Sequence, residues 1–172
     1  MLPLRTLARD EHHHRGASTM SLKKSILLIG AVLPLVFNSA AAADRGTKPE
    51  AMAMVKKAIE LIKKDGPEKA YAAFDDKAGA FHDRDLYVVV YDSSGKCLAH
   101  GSNAKLIGKD LLDAQDADGV YYIKDRVGLM KSKASFWQDY KFTDPVTKKI
   151  EPKSTYCEKL NDIAVCVGIY KN

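Results

Sequence analysis

The chain has 172 residues, a net charge of +5 and three cysteines. This length accommodates one domain with a single core, with or without a leader. The absence of a dense lysine and arginine run argues against nucleic acid as the main partner. The sequence has no CxxC or CxxCH motif, so thioredoxin-type redox chemistry and c-type haem attachment are not supported.

The N-terminal segment has the features of a secretory signal. Two lysines precede an apolar run at 26–37, and three consecutive alanines ending at position 43 suit signal peptidase. The run is shorter than the roughly 20 apolar residues of a membrane span, so no stable span is expected, although an uncleaved anchor is the alternative. We predict a leader at 1–43, in which 1–19 is an upstream extension and 20–43 is the signal. The periplasmic domain is then 44–172, with a net charge near +2 because the leader holds five basic and two acidic residues.

Two helices are predicted at the start of this domain. Over 48–64, apolar residues recur at helical spacing, and lysines cover the other side. A glycine and a proline at 66–67 end this helix, because glycine suits a C-terminal cap and proline cannot continue the helix. The pattern predicts a second helix from position 67 to about position 80.

The pattern then changes to strands. Residues 86–91 are apolar at nearly every position, which is typical of a strand covered on both faces, and the turn at 92–95 predicts a hairpin. A short helix at 110–114, a helix at 120–131, an aromatic strand at 134–142 and a terminal hairpin follow. This order predicts an α+β fold, in which helices pack on one antiparallel sheet.

The terminal hairpin allows a cysteine pairing to be predicted from its register. With a two-residue turn at 161–162, Leu160 pairs with Ile163, and Cys157 then lies opposite Cys166. Such a pair is not hydrogen-bonded, and its Cα atoms are about 4.5 Å apart, which permits a disulfide. We predict this disulfide for an oxidising compartment. The alternative is two small buried side chains that pair without a bond.

The segment "DLLDAQDADGVYYIKD" at 110–125 is rich in carboxylates and contains an Asp-Gly step, as a calcium loop does. When an EF-hand loop is aligned on Gly119, its first ligand position is Ala114 and its last is Asp125 instead of glutamate. A turn followed by a helix that Asp118 caps is the simpler interpretation. We therefore expect no metal and no cofactor.

Six features in order resemble a single Cache domain of type 2. They are a long N-terminal helix, a strand ending in "DSSG", the segment "AHGSNAKLIGKDLLDAQDADG", a helix, an aromatic strand followed by "KSTY", and a terminal "GIY". The resemblance covers about 48–171. It implies a PAS-like fold with a central antiparallel sheet of about five strands, a long N-terminal helix packed on it, and a small-molecule pocket on the sheet.

The resemblance also implies an extracytoplasmic sensor whose ligand is a small organic acid, an amino acid or a similar metabolite. Most such domains are fused through membrane helices to chemoreceptors or histidine kinases. This sequence has no second hydrophobic segment. We therefore expect signalling through a separate membrane-bound sensor protein.

The ligand-binding candidates are chosen by chemistry. A small carboxylate needs a cation or hydrogen-bond donor and an apolar wall. Of the two arginines that we place in the domain, Arg84 and Arg126, Arg126 is the better candidate, because it lies on the helix before the aromatic strand. Each candidate also has a purely structural interpretation, as a core aromatic, a surface ion pair or a packed histidine. The candidates are Arg126, Tyr122, Trp137, Tyr140, Tyr156 and His100.

Three functions remain open. The first is a periplasmic small-molecule-binding sensor, and the second is a protein-interaction module whose pocket is closed by its own side chains. A ligand-sized cavity lined by Arg126 and tyrosines would favour the first. The third is a redox-responsive module that uses the cysteine pair. No enzyme activity is expected, because there is no GxSxG or HExxH motif and no recognisable acid/base frame.

Overall fold

The computed structural model describes residues 44–171, so the predicted leader lies outside the described residues. The domain has three helices and six strands. They are α1 (Lys48–Asp65), α2 (Pro67–Asp75), β1 (His82–Asp83), β2 (Leu86–Asp92), β3 (Cys97–His100), α3 (Tyr122–Ser132), β4 (Ser135–Thr143), β5 (Ile150–Leu160) and β6 (Ile163–Tyr170).

The strands form one antiparallel sheet in the order β1-β2-β6-β5-β4, and β3 also pairs with β2. The long N-terminal helix α1 packs on β5 and β6. The α+β, PAS-like architecture expected from the sequence is confirmed, and the sheet has six strands, one of which is only two residues long.

Helix α1 has strong start and stop signals. Thr47 forms a capping box with Glu50, in which each residue's side chain accepts a hydrogen bond from the other's backbone N–H. Gly66 follows the helix with φ of 84°, which is a conformation that other residues rarely adopt. The buried side chains of the helix lie on one face: Ala51, Val55, Ala58, Ile59 and Ile62.

Three local predictions are wrong. Helix α2 ends at Asp75, before position 80, because the carboxylate of Asp76 accepts the Ala78 N–H and starts a turn. Residues 110–114 are not helical, because Asp110 forms an isolated bridge with Lys96 and a turn follows at 112–113, whereas a short 3-10 helix occurs earlier, at Ala104–Leu106. Helix α3 begins at Tyr122, and no side chain caps it.

The sheet has two different faces because side chains alternate along each strand. One face packs against α1 and α2, and we call it the α1 face. The other packs against α3, and we call it the α3 face. On β2, Val88 and Val90 belong to the α1 face, whereas Tyr87 and Tyr91 belong to the α3 face.

The predicted cysteine pairing is confirmed. Leu160 pairs with Ile163, and Cys157 lies opposite Cys166 with a Cα–Cα distance of 4.1 Å. The two cysteines form a disulfide, and both are fully buried on the α3 face. The third cysteine, Cys97, is a buried thiol on the same face.

The two ends of the domain meet at one buried carboxylate. Asp85 is fully buried, and it accepts the Gly46 N–H at 2.6 Å and the Tyr170 N–H at 3.2 Å. Next to it, Arg45 forms an ion pair with Asp144 and a second hydrogen-bonded pair with another carboxylate in β5. Arg45 lies within the predicted domain 44–172, although the sequence-based count of two arginines omits it, and it joins the N-terminal segment to the β4–β5 loop.

Candidate functional site

Arg126 lies on α3 and is completely buried against the sheet. Its Nε–H donates to Gln138 Oε1 at 3.0 Å, and the Gln138 amide donates to the Tyr122 carbonyl at 2.6 Å. The guanidinium lies 5.1 Å from the Tyr91 ring centroid and 5.4 Å from that of Tyr140. Both terminal nitrogens lack a hydrogen-bond partner among the described residues. Unpartnered buried donors are costly, and a terminal nitrogen pair is the usual bidentate contact for a carboxylate.

Arg126 keeps its positive charge despite its burial. Burial lowers the pKa of Arg126, but the nearby oxygens of Tyr140 and Tyr91 outweigh this effect and raise it. The Tyr140 hydroxyl is close enough to the guanidinium to raise the pKa of Arg126, but it does not meet hydrogen-bond geometry with either terminal nitrogen. Burial raises the pKa of Tyr140, whereas the charges of Lys153 and Arg126 lower it below its ordinary value. The site is therefore electropositive.

Lys153 is a second buried cation on the α3 face. It is not among the ligand-binding candidates chosen from the sequence. It pairs across the strands with Tyr140, and it is 2 % exposed. Its ammonium donates to the Tyr87 hydroxyl at 2.7 Å and lies 4.0 Å from that ring's centroid. It also lies over Tyr170 and Phe142. No described carboxylate forms an ion pair with it. A sequence signal existed, because Lys153 precedes the buried Cys157 by four residues and so shares its face.

Aromatic side chains connect the two cations. The rings of Tyr122 and Tyr140 stack with centroids 4.7 Å apart and planes 3° from parallel. Thr155 donates to the Tyr140 hydroxyl at 3.2 Å, and the hydroxyls of Tyr87 and Tyr170 are 3.2 Å apart. Burial raises the pKa of Tyr122 to about 12. The sequence-predicted pair Tyr122 and Tyr140 therefore forms an apolar wall beside Arg126.

His100 ends β3 at the border of the same cluster and is 2 % exposed. Its ring stacks on Tyr87 with a centroid distance of 5.4 Å and lies 5.9 Å from Phe142. Its Nδ1 accepts the Asn103 N–H at 3.2 Å. Burial and the charge of Lys153 lower the pKa of His100 to about 3. The imidazole is therefore neutral near pH 7 and adds no third charge.

The other two candidates lie elsewhere. Trp137 and Tyr156 pack against each other with ring centroids 5.2 Å apart, on the α1 face of the sheet. The Lys48 ammonium lies 4.9 Å from the Trp137 ring centroid. Because Trp137 and Tyr140 are three positions apart on one strand, alternation alone places them on opposite faces. The structure therefore separates Trp137 and Tyr156 from the cluster around Arg126.

Comparison with known proteins identifies the family. Residues 31–171 match the family described as Single Cache domain 2. The chain belongs to this family. No curated protein matches the chain.

Solved structures agree with this assignment. The crystal structure of a methyl-accepting chemotaxis protein from Vibrio parahaemolyticus RIMD 2210633 is 26 % identical with a TM-score of 0.62, covering 72 % of this chain and 87 % of that one. A Cache chemosensory domain described in terms of carboxylic acid recognition is 20 % identical with a TM-score of 0.62, covering 72 % and 92 %. A periplasmic sensor domain of a chemotaxis protein is 19 % identical with a TM-score of 0.59, covering 70 % and 88 %.

The Cache family is a family of extracytoplasmic, ligand-binding sensor domains and not a class of enzymes. Two of the similar solved structures are of chemotaxis proteins. Within residues 44–171, no helix has both the length and the hydropathy that crossing a membrane requires.

A loop lies beside the aromatic cluster of this Cache domain. Residues of the segment 115–121 line two cavities, of about 180 and 240 Å³. The first is lined by Tyr122 and Phe142 and the second by Tyr140 and Lys153. Arg126 lines neither of these two cavities, and it lines none of three other cavities on the described surface. The site is therefore closed around the guanidinium, and none of these cavities has the lining of Arg126 and tyrosines that would favour the sensor over the interaction module.

Asp116 holds this loop in place. Its carboxylate accepts the N–H groups of Asp118 and Val120 at 2.8 and 2.9 Å, and that of Lys141 on the edge strand β4 at 2.9 Å. Asp116, and not the predicted Asp118, therefore organises the turn before α3, while Asp118 pairs with the Lys141 ammonium at 2.8 Å. Hydrogen bonding to backbone N–H groups outweighs burial and lowers the pKa of Asp116. The acidic segment is therefore anchored to the edge strand β4.

Proposed function

We propose that this protein is a periplasmic sensor-type Cache domain that binds a small organic acid through Arg126. The observation that carries the proposal is the fully buried guanidinium with two unpartnered terminal nitrogens. A carboxylate has two oxygens that match such a pair of donors, and it also compensates the buried charge. An amine would add a second positive charge, so it does not suit the site.

The surroundings of Arg126 support a small ligand. Tyr91, Tyr122 and Tyr140 supply aromatic surface against which the carbon chain of an acid could pack. Gln138 holds the Nε side of the guanidinium, so the group that binds the ligand is oriented in advance. His100 would contribute a neutral ring to the border of the ligand site.

We further propose that the ligand-bound domain acts in signal transduction through a separate membrane-bound sensor protein. The sensor role of the family supports this proposal. The predicted signal at 20–43 supports a periplasmic location. A direct test of both is fractionation of cells that express the full chain, followed by crosslinking with and without ligand.

The binding proposal is tested by thermal unfolding of the purified protein with small carboxylates, and with amines and purines as chemical controls. A ligand that binds only the native state raises the free energy of unfolding by about 2.7 kcal/mol when its concentration is one hundred times its Kd. We expect carboxylates to raise the Tm of the wild type and of the control Arg84→Lys. The Arg126→Met variant should lose this response because it has no guanidinium.

A second candidate function is a protein-interaction module whose pocket is closed by its own side chains. The observation in its favour is that none of the five cavities includes Arg126. A well-folded wild type that responds to no carboxylate would favour this candidate over the sensor. The edge strand β4 and helix α1 would then be the surfaces to examine with crosslinking.

The redox alternative has less support, because Cys157 and Cys166 are both fully buried. Thiol titration with and without mild reductant distinguishes it. We expect mild reductant to expose no additional thiols in the folded protein.

A further inference from the structure

The turn between β4 and β5 carries the two most exposed large apolar side chains of the described residues. Val146 is 51 % exposed and Ile150 is 61 % exposed. Lys148 and Lys149 lie between them in the chain, and both are exposed as well. We call residues 145–150 the β4–β5 tip. Aliphatic and basic groups are therefore presented together to the surroundings within six residues.

The β4–β5 tip projects beyond the neighbouring strand of the sheet. Strand β6 ends at Tyr170 opposite Lys153, and the Lys171 N–H donates to the Pro152 carbonyl at 2.9 Å. Ile150 and its neighbour at 151 pair with β4 alone among the described strands. Two residues of strand correspond to about 7 Å, and the turn adds to this length. The tip is therefore a protrusion at one end of the sheet.

The backbone of the tip is held in one conformation. The Asp144 N–H donates to the Lys149 carbonyl at 2.8 Å, and the Lys148 N–H donates to the Asp144 carbonyl at 3.0 Å. The Asp144 carboxylate also accepts the Val146 N–H at 2.6 Å. Lys148 has φ of 62°, a conformation that lysine rarely adopts. A lysine at such a position is a departure from local preference of the kind that often marks a functional surface.

The positive charges of the tip are not neutralised by its own acidic groups. Asp144 and Glu151 flank the tip, and both pair with Arg45. Lys148 and Lys149 form no ion pair within the described part of the chain. The Lys148 ammonium donates to a carbonyl of the tip at 2.5 Å and stays exposed. The tip therefore suits an anionic partner with an apolar interior.

The start of the domain lies at the base of the tip. Arg45 makes this connection, because it contacts carboxylates on both sides of the tip. The apolar run of the predicted signal ends at position 37, and the described chain begins at position 44. Seven residues span at most about 25 Å. While the run lies in a membrane, the base of the tip is thus close to the bilayer, which favours lipid over a protein as the partner.

We infer that the β4–β5 tip is a docking site for an anionic lipid bilayer. Val146 and Ile150 enter the boundary between headgroups and acyl chains, and Lys148 and Lys149 contact lipid phosphates. Two aliphatic side chains bury much less surface than a lipid anchor, so the binding is weak and reversible. After removal of the leader, the tip keeps the domain at the surface where a membrane-bound sensor protein lies. The inference is independent of any ligand at Arg126.

The test measures binding of residues 44–172 to lipid vesicles by co-sedimentation. The leader is left out because its apolar run would itself bind lipid, and both core clusters of the domain lie within the described range 44–171. One set of vesicles is phosphatidylcholine, and the other contains one third phosphatidylglycerol. We expect binding to the anionic vesicles, at least about tenfold weaker binding to the neutral ones, and a loss at high salt.

A lysine double variant locates the charge effect. Lys148→Asn with Lys149→Gln should weaken binding to anionic vesicles about 25-fold, which is about fivefold for each lysine removed. Asparagine is chosen at position 148 because it tolerates positive φ. Circular dichroism establishes that the variant is folded.

The matched control is Lys63→Gln with Lys64→Gln, which removes the same net charge. These two exposed lysines lie in the last turn of α1. Lys63 lines a cavity with Leu160, at the opposite end of β5 from the tip. The ends of this 11-residue strand are about 33 Å apart, which is well beyond the Debye length of about 8 Å. The control should therefore bind within about twofold of the wild type.

The apolar contact is tested with Val146→Thr combined with Ile150→Thr. Threonine keeps the branching at Cβ that suits a strand, but it reduces the apolar surface that enters the bilayer. Binding should weaken at least about fourfold, which corresponds to one buried methylene group. The dependence on salt should remain, because both lysines of the tip are kept.

Three outcomes would overturn the inference. The first is a wild type that does not sediment with anionic vesicles. The second is an equal loss of binding in the two lysine double variants, which would show that net charge alone binds the domain. The third is a tip that crosslinks to a protein in cell membranes while the wild type ignores lipid vesicles. Each of these outcomes leaves carboxylate binding at Arg126 untouched, so the proposed function is judged separately.

Discussion

The two faces of the sheet are built from different chemistry. The α1 face is a continuous apolar core in which aliphatic side chains of α1 meet Val88, Val90, Val165 and Val167. The α3 face holds tyrosines, a buried thiol, the disulfide and the buried Arg126, Lys153 and His100. Burial of apolar groups stabilises the fold, whereas burial of unpaired charges opposes it.

This difference indicates a division of roles between the faces. Apolar burial on the α1 face stabilises the fold. This stabilisation offsets the cost of burying two cations on the α3 face. Such a conflict between local chemistry and stability is expected where a protein has a functional site. The comparison makes opposite predictions for substitutions on the two faces.

The largest effect is expected on the α1 face. Phe74 is fully buried and meets Phe81 edge-to-face with ring centroids 4.7 Å apart. Phe74→Ala should lower the free energy of unfolding by about 3–5 kcal/mol, because it leaves a cavity. Urea denaturation measures the loss, and Phe74→Leu should lose much less. A fall in the ligand affinity of the folded variant along with its stability would contradict the proposed division of roles between the two faces.

The disulfide should have the next largest effect. Replacement of both Cys157 and Cys166 by alanine should lower the free energy of unfolding by about 2 kcal/mol, at the low end of the usual range because the closed loop is short. Equilibrium denaturation with and without reductant checks this, and Cys97→Ala is the matched control that keeps the bond. An unchanged stability in the double variant would show that the disulfide does not constrain the unfolded chain.

Arg126 should behave in the opposite way to Phe74. Arg126→Met removes an unpartnered buried charge, so the free energy of unfolding should rise by about 1–2 kcal/mol, although the bond to Gln138 is lost. Carboxylate binding should be lost in the same variant. Denaturation and isothermal titration on one preparation measure both effects. A clear loss of stability would instead identify Arg126 as a structural residue.

His100 should make the α3 face sensitive to acid. Its folded pKa of about 3 lies below that of an unfolded histidine, about 6.5, so only the unfolded chain takes up a proton between these values. Stability should therefore fall as the pH decreases from about 6.5, by at most about 1.4 kcal/mol per pH unit.

His100→Gln should remove this contribution, and His82→Gln is the control at a half-buried histidine. Urea denaturation at several pH values between 7 and 5 gives the slopes. If the slope of His100→Gln equalled that of the wild type, the buried imidazole would not be the group responsible.

The sequence predicts the elements whose signals are local. The periodicity of α1, the turn residues after β2 and the hairpin register are all short-range, and they lead to the fold and to the Cys157–Cys166 bond. The boundaries of α2 and α3 are less predictable, because the carboxylates of Asp76 and Asp116 compete for backbone N–H groups there.

The site is predicted less completely than the fold. Arg126, Tyr122, Tyr140 and His100 come together, but the reasoning from residue type alone also selects Trp137 and Tyr156, which occupy the other face. Strict alternation along β4 and β5 would have removed these two and added Lys153. That Arg126 is unpartnered could not be predicted, because it depends on tertiary contacts with Gln138 and Tyr91.

The hydrogen bonds of Asp85 hold the first and last residues of the folded domain next to each other. One carboxylate holds Gly46 at the start and Tyr170 at the end, so the two ends of the fold are neighbours. A short linker could therefore join them, and new termini could be opened in the exposed β4–β5 turn around Lys148. Inserted into a loop of a fluorescent protein, the same domain would report changes around Arg126 as an optical signal.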